Sequence, residues 1–263
     1  MTGRDGGADL APTGNSPVVI LVRPQLADNI GAAARAMGNG GLFHLRLVAP
    51  RDGWPQEKAW RNSSGADRIL DAATVHASVA AAVADLHHVF ATCPRPRHII
   101  KPVLTARGVA AELRLSCARG LRVGVLFGPE RAGLDNDDMA QADALVRYPL
   151  NPGFMSLNLA QAVMVLAYEW WTAVDQTVPR VLMTNETRLA TKGELDNFLA
   201  HLTNELDACG FLSNLPKRTG MVRNIRHFFT RGEVTTQELR TLHGIVTELT
   251  RGRRQLGRIE ASE

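Results

Sequence analysis

Short apolar runs alternate with helical stretches over the first two thirds of the sequence. Apolar runs lie at 17–22 and 144–148, and further strands are predicted at 43–48, 88–91 and 122–127. Short, continuously apolar runs are typical of strands that are buried on both faces of a sheet. Helical patterns lie between them at 32–37, 74–85 and 109–118, and a short one follows Asp135. The alternation predicts an α/β fold, in which helices cover both faces of a parallel sheet.

The alternation stops after Trp171. Helical patterns at 194–210, 220–231 and 235–251 then predict a small all-α C-terminal domain. We therefore expect a disordered Gly-, Asp- and Thr-rich tail at 1–16 and an α/β domain at 17–172. A polar linker at 173–192 and a helical domain at 193–258 are predicted to follow. From Lys217 to Arg258 there are ten Lys or Arg against three Glu, although the whole chain has a formal net charge of only +4. The positive charge of the last domain favours a polyanionic partner.

Several classes of protein are disfavoured by what the sequence lacks. No apolar run approaches the roughly 18 residues that cross a bilayer, and the start has no signal-peptide pattern. No G-x-G-x-x-G follows the first predicted strand, and no G-x-x-x-x-G-K is present. The three cysteines and the histidines have no metal-ligand spacing. We therefore expect a cytoplasmic protein with no metal and no membrane contact.

Three segments that follow predicted strands carry the candidate functional residues. The first is Asn29-Ile30-Gly31-Ala32-Ala33-Ala34-Arg35, in which we place Asn29 in the turn before a helix. The second is Leu126-Phe127-Gly128-Pro129-Glu130-Arg131-Ala132-Gly133-Leu134. The third contains Ser156-Leu157-Asn158, after a stretch that two prolines and a glycine keep irregular, and we expect Ser156 to cap the helix that follows. Open α/β sheets bind ligands beyond the carboxyl ends of their strands.

In this order and at these separations, the three segments closely resemble the motifs of the SPOUT methyltransferases, SpoU–TrmH branch. The resemblance covers roughly 18–171. Segments around 195–202, 210–211 and 223–231 resemble the C-terminal extension of the TrmJ-type tRNA methyltransferases. The resemblance implies a deep trefoil knot, a homodimer, and methylation of a ribose 2′-hydroxyl with S-adenosyl-L-methionine. For the TrmJ type, the implied target is nucleotide 32 in the tRNA anticodon loop.

The resemblance also implies roles for five side chains. Arg35 matches the catalytic arginine, and because its guanidinium stays protonated, we expect it to hold a phosphate and the 2′-oxygen. Asn29 matches the asparagine of the first motif. Glu130 would anchor its loop or orient Arg35, although it could instead pair with Arg131 at the surface. Ser156 and Asn158 would hold the ribose or the carboxylate of the donor.

The implied donor pocket consists mostly of main chain from three loops. Its predicted residues are Thr92, Cys93, Pro94, Gly128, Tyr148, Met155, Ser156 and Leu157. Glycine in such a place lets the main chain approach the adenosine without a clash. Two departures from the family pattern affect the predicted contacts. Cys93, Pro94 and Pro96 replace small polar residues, and Met155 stands where serine is usual.

Arginines on several segments are candidates for RNA binding. They are Arg23, Arg35, Arg223, Arg226 and Arg231, and the last three have Phe228 and Phe229 beside them. Charged helix faces are also commonly just solvated. Trp54 and Trp60 could stack on bases or pack under their loop. The target could also be another tRNA position or ribosomal RNA, and a non-catalytic RNA-binding SPOUT protein is a further alternative. The presence of all five motif side chains favours an enzyme.

Overall fold

The computed structural model describes residues 15–94, 99–181 and 186–260, and for 252–260 the backbone alone. Nearly all of the predicted tail at 1–16, Pro96, and residues 182–185 of the predicted linker lie outside the described residues. The chain divides into two compact units, Met1–Thr177 and Val178–Glu263. The division falls within the stretch predicted as a linker.

In the first unit, the described residues form one seven-stranded sheet. Its strands are β1 (Val18–Val22), β2 (His44–Val48), β3 (Thr74–His76), β4 (His88–Thr92), β5 (Val103–Thr105), β6 (Val123–Phe127) and β7 (Ala144–Arg147). The order is β3-β2-β1-β6-β4-β7-β5, and each neighbouring pair is parallel. The predicted parallel sheet is therefore confirmed. Because β6, β4 and β7 are neighbours, the loops that follow them meet at one edge of the sheet.

Helices cover both faces of the sheet, as predicted. They are α1 (Ala27–Asn39), α2 (Glu57–Ser63), α3 (Asp67–Asp71), α4 (Val79–Val83), α5 (Ala106–Ala118), α6 (Asn136–Ala140) and α7 (Leu159–Thr172). Successive residues of β1 enter opposite cores, since Val19 and Leu21 pack with α1, α5 and α7, whereas Val18 and Ile20 pack with α4 and α6. This two-sided burial explains why β1 is apolar at every position.

Some predicted elements are wrong. The helix predicted at 74–85 is β3 followed by α4, because residues 74–76 pair with β2 at the edge of the sheet. The stretch predicted as a polar loop around Trp54 and Trp60 contains α2, and β5 was not predicted. Helix α1 begins at Ala27, five residues before the predicted start. Helix α7 begins at Leu159 instead of Ser156.

The second unit is helical, which confirms the predicted all-α region. It contains α8 (Lys192–Ala208), α9 (Leu215–Thr230) and α10 (Thr236–Glu260). Leu195, Phe198 and Leu199 of α8 pack with Leu239 of α10 in a small apolar core. The boundaries of the predicted domains stay predictions.

Candidate active site

A cavity of about 480 Å³ lies where the loops after β4, β6 and β7 meet. Its lining includes all eight residues predicted to bind the donor: Thr92, Cys93, Pro94, Gly128, Tyr148, Met155, Ser156 and Leu157. Pockets of a few hundred Å³ are typical of sites for small molecules and cofactors. The cavity can therefore hold a ligand of the size of a nucleoside derivative, and the donor contacts of these eight residues stay a prediction.

Gly128 allows the loop after β6 to fold tightly against itself. A Cβ atom at this position would lie 2.3 Å from the backbone nitrogen of Leu134 and 2.4 Å from the carbonyl carbon of Gly133. Such distances exclude any larger side chain unless the backbone shifts. The loop therefore presents bare main chain to the cavity, as expected of a wall that approaches a ligand closely.

Hydrogen bonds hold the other two loops of the cavity in place. The Thr92 hydroxyl donates to the carbonyl of Leu126 at 3.0 Å, and the backbone N–H of Cys93 donates to the carbonyl of Val146 at 2.9 Å. The Tyr148 hydroxyl donates to the carbonyl of Ala162 at 2.8 Å, and burial raises the pKa of Tyr148 above its ordinary range. These contacts tie the loop ends to the sheet and to α7, so Cys93 occupies an anchored, buried position despite its departure from the family pattern.

A chain of hydrogen bonds joins the three motif segments. Asn158 donates from Nδ2 to Oδ1 of Asn29 at 3.0 Å, and Asn29 donates from Nδ2 to Oε1 of Glu130 at 2.7 Å. The other oxygen of Glu130 accepts the backbone N–H of Gln25 at 3.0 Å. Since a carboxylate only accepts hydrogen bonds, Glu130 fixes which way the Asn29 amide faces.

Glu130 does not pair with the arginine that follows it. Its two oxygens are engaged by Asn29 and Gln25. The Arg131 side chain is exposed, and no carboxylate in the described part of the chain pairs with it. The predicted alternative, a surface pair between Glu130 and Arg131, is therefore not formed.

The position of Asn29 differs from the prediction, with a consequence for Arg35. Asn29 lies in the first turn of α1, not in the turn before it. Arg35 is six residues further on, which places it about 9 Å along the axis and about 240° around the helix. The two side chains therefore do not share a face. Arg35 is exposed, donates to the Ser64 hydroxyl at 3.2 Å, and does not line the cavity.

Asn158, and not Ser156, caps helix α7. Its Oδ1 accepts the backbone N–H of Ala160 at 2.9 Å, and the Gln161 side chain accepts the backbone N–H of Asn158 at 3.0 Å. This reciprocal arrangement is a capping box, which needs a polar residue three positions after the cap. Ser156 has Leu159 at that place. Ser156 is consequently left exposed on the lining of the cavity.

The arginines predicted to bind RNA have different surroundings. Arg23 pairs with Asp135 at 3.0 Å and with Asp138, and its hydrogen bond to Asp138 is the main cause that raises its pKa. In the second unit, Arg226 pairs with Asp196 at 2.7 Å. Arg223 and Arg231 are exposed and have no carboxylate partner among residues 186–251. RNA contacts of all these arginines stay a prediction. Unlike Arg23 and Arg226, Arg223 and Arg231 would not have to leave a carboxylate partner among the described residues to bind a phosphate.

Trp54 and Trp60 pack against each other. Their ring centroids are 5.0 Å apart, and both rings contact the main apolar core. The indole N–H of Trp60 donates to Asp71 at 3.0 Å. This geometry favours the packing alternative over stacking on bases.

The sequence did not single out two residues on the cavity lining, Arg131 and Phe154. Both are exposed. They lie inside or directly beside the motif segments, so proximity to the motifs was the available signal. Within the described residues, no group of three His, Cys, Asp or Glu side chains could hold a metal ion. No helix in the same residues is long and apolar enough to cross a membrane.

Comparison with known proteins assigns both parts of the chain. Residues 16–168 match the model of the SpoU rRNA Methylase family, and residues 193–258 match that of the tRNA methyltransferase TrmJ, C-terminal domain. The chain is 37% identical over 239 residues to the tRNA (cytidine/uridine/adenosine-2′-O-)-methyltransferase TrmJ of Pseudomonas aeruginosa (strain UCBPP-PA14), covering 88% of this chain and 92% of the relative.

Two further proteins named TrmJ are similar to this chain. The tRNA (cytidine/uridine-2′-O-)-methyltransferase TrmJ of Cronobacter sakazakii (strain ATCC BAA-894) is 33% identical over 90% of this chain and 97% of its own length. The crystal structure of TrmJ from Z. mobilis ZM4 has a TM-score of 0.77 and 47% identity, covering 89% of this chain and 98% of that one. The trefoil knot stays a prediction that these matches support. With both of its parts matched, the chain belongs to the SpoU rRNA methylase family and is of the TrmJ type.

Proposed function

We propose that this protein transfers a methyl group from S-adenosyl-L-methionine to the 2′-hydroxyl of a tRNA ribose, at nucleotide 32 of the anticodon loop. It would do so as a homodimer in the cytoplasm. The observation that carries the proposal is the cavity at the ends of β4, β6 and β7, which the second and third motif segments line. Hydrogen bonds of Asn29 join the first motif segment to the other two. The names of the relatives support tRNA as the substrate, and the resemblance to the TrmJ type supports position 32.

The residues present fit the donor. Gly128 lets the loop after β6 fold tightly where it lines the cavity, while Tyr148, Met155 and Leu157 offer apolar contacts for the adenosine. When bound, the donor supplies an electrophilic methyl group on a positively charged sulfur. The task of the protein is then to hold the 2′-oxygen in line with that methyl group.

Arg35 is proposed to hold the reacting nucleotide. A guanidinium stays protonated in proteins, so it does not act as a base, but it can bind a phosphate and the 2′-oxygen together. Both oxygens of Glu130 are already engaged by Asn29 and Gln25. We therefore assign Glu130 to positioning, and Arg35 to stabilisation of the negative charge that develops on the 2′-oxygen as its proton passes to solvent water.

A homodimer would explain the place of Arg35. This side chain is exposed and does not line the cavity of its own chain. A second copy of the chain could bring its own Arg35 to the mouth of that cavity. We therefore propose that the active site is composite, with the donor held by one subunit and the reacting nucleotide gripped by Arg35 of the other subunit.

Replacing Arg35 tests this arrangement. Arg35→Ala should lower methyl transfer to tRNA by at least about 100-fold, as expected for loss of charge stabilisation in the transition state. Calorimetric titration should show unchanged donor binding, because Arg35 is proposed to contact the nucleotide and not the donor, and it does not line the cavity of its own chain. Substantial turnover by this variant would refute the assigned role. Absence of donor binding by the wild type would instead favour a non-catalytic RNA-binding protein.

A mixed dimer tests whether the site is composite. Arg35→Ala and the donor-site variant Gly128→Ala would be co-expressed with different tags, and the mixed dimer purified. If Arg35 acts across the subunits, one site of the mixed dimer has neither lesion, and about half of the wild-type activity should return. If Arg35 acts within its own chain, both sites carry a lesion and the mixed dimer should be inactive. The folded state of Gly128→Ala is checked first by its unfolding temperature.

A further inference from the structure

The cavity has a buried end and an exposed mouth. Phe127 and Leu159 are buried at the inner end of the lining. At the mouth, Phe154 is 75% exposed, and Arg131 is exposed as well. The mouth therefore combines a large apolar ring with a positive charge, next to the cavity proposed to hold the donor.

A tight turn presents Phe154 to solvent. The backbone N–H of Phe154 donates to the carbonyl of Asn151 at 2.9 Å, and the N–H of Gly153 donates to the Asn151 side chain at 2.9 Å. These two bonds fix the backbone before the ring. An aromatic side chain held in water at the mouth of a cavity contributes little to folding, since it buries little apolar surface. Its position favours a role in binding.

Arg131 adds a positive charge to the mouth of the cavity, which Phe154 also lines. It follows Glu130 directly, but Glu130 is engaged by Asn29 and Gln25. Among the described residues, no carboxylate pairs with Arg131, so its donors are available at the cavity. A free guanidinium in such a place is suited to a phosphate.

We propose that Phe154 stacks on the base of the nucleotide to be methylated, and that Arg131 binds a phosphate beside it. The inference rests on the proposed function and adds a binding site for the target nucleotide to it. Aromatic side chains commonly stack on unpaired RNA bases, and stacking tolerates different bases because every base has a π-face. Phe154 has no hydrogen-bonding group, so it holds the base without distinguishing cytidine from uridine.

Variants of Phe154 test the stacking contact. Phe154→Ala should raise the KM for tRNA roughly tenfold, in line with the loss of one stacked base, and by the same factor for cytidine and uridine targets. Phe154→Tyr should stay within about twofold of the wild type, because it keeps the ring. Phe154→Leu should behave like the alanine variant, since it keeps apolar surface without a π-face. Leu115→Ala, which removes an exposed apolar side chain from α5, is the matched control and should leave the KM unchanged.

Arg131→Gln tests the phosphate contact. Loss of one phosphate contact should weaken tRNA binding and reduce the slope of log K against log salt concentration by about one. The matched control is Arg119→Gln, which removes another exposed arginine from the first unit and should leave the slope nearly unchanged. An unchanged slope for Arg131→Gln would contradict the phosphate contact.

Three further results would overturn the inference. The first is a wild-type KM for Phe154→Ala while the wild type is active, which leaves the proposed function intact. The second is weaker donor binding by Phe154→Ala in calorimetry, which would place the ring over the donor instead of the base. The third is a wild-type protein that transfers no methyl group to tRNA, which contradicts the proposed function and this inference together.

Discussion

At the scale of single residues, the Asn29 amide is the centre of the proposed site. It accepts from Asn158 and donates to Glu130, so one side chain joins segments that lie 101 and 129 residues away in sequence. The motif residues could be predicted from the resemblance of their segments to the family motifs. Their mutual contacts could not, since the first turn of α1 includes Asn29 and thereby turns it away from the face that carries Arg35.

Glu130→Gln tests the positioning role of this carboxylate. A glutamine has one acceptor oxygen where the Asn29 amide and the Gln25 N–H need two. One donor is then left unsatisfied in a partly buried place, which costs about 1–3 kcal/mol. Methyl transfer should therefore fall by about tenfold or more, measured as kcat/KM with labelled donor. The unfolding temperature of the same variant should show that the protein is still folded under the assay conditions, so that the loss of kcat/KM is not caused by unfolding.

The matched control for this variant is Glu57→Gln. Glu57 is an exposed carboxylate on α2 that pairs with Arg61 at 2.7 Å. Surface pairs of this kind contribute little, so its activity should stay near that of the wild type. Equal activities of the Glu130 and Glu57 variants would contradict the assigned role of Glu130.

At the scale of elements, α1 and α2 pack closely enough to require glycine. A Cβ atom at Gly31 would lie 2.0 Å from the carbonyl oxygen of Ala59 on α2. The same pair of helices is joined by a hydrogen bond from Asn62 to Asp28 at 2.6 Å. Because α1 carries both Asn29 and Arg35, this packing positions two of the motif side chains.

Gly31→Ala should therefore destabilise the first unit. Overpacking typically costs about 1–3 kcal/mol, more than alanine gains over glycine in a helix. Gly38→Ala on the same helix is the control, because its nearest contacts would be ordinary ones at 3.7 Å and 3.8 Å. All four tryptophans lie in the first unit, so denaturant unfolding followed by tryptophan fluorescence reports this unit alone. Equal stability of the two variants would contradict the packing account.

The elements that the sequence predicted well are those buried on both sides. β1 and β6 are buried at every position because both faces of each strand enter a core. β3 and β5 are three residues long, lie at the edges of the sheet and are partly exposed. They therefore carry little hydrophobic pattern. The start of α7 was predictable in principle, because Gln161 follows Asn158 at the spacing of a capping box.

At the scale of the whole molecule, the two units supply complementary properties. The first contains the cavity, and the second presents Arg223 and Arg231 without carboxylate partners among residues 186–251. A basic helical surface suits the phosphates of a folded RNA, and neutralised phosphates contribute affinity without reading sequence. Under the proposed function, selection of one ribose would then depend on the site in the first unit.

The central claim is methylation of a tRNA ribose. The most direct test is to incubate the protein with S-adenosyl-L-methionine and unmodified tRNA, with ribosomal RNA in parallel, and to identify the methylated nucleoside and its position by mass spectrometry. We expect a 2′-O-methylated nucleoside at position 32 of tRNA, and at least about 100-fold slower formation of it when Arg35→Ala replaces the wild type. A methyl group on a base, or 2′-O-methylation of ribosomal RNA alone, would contradict the account.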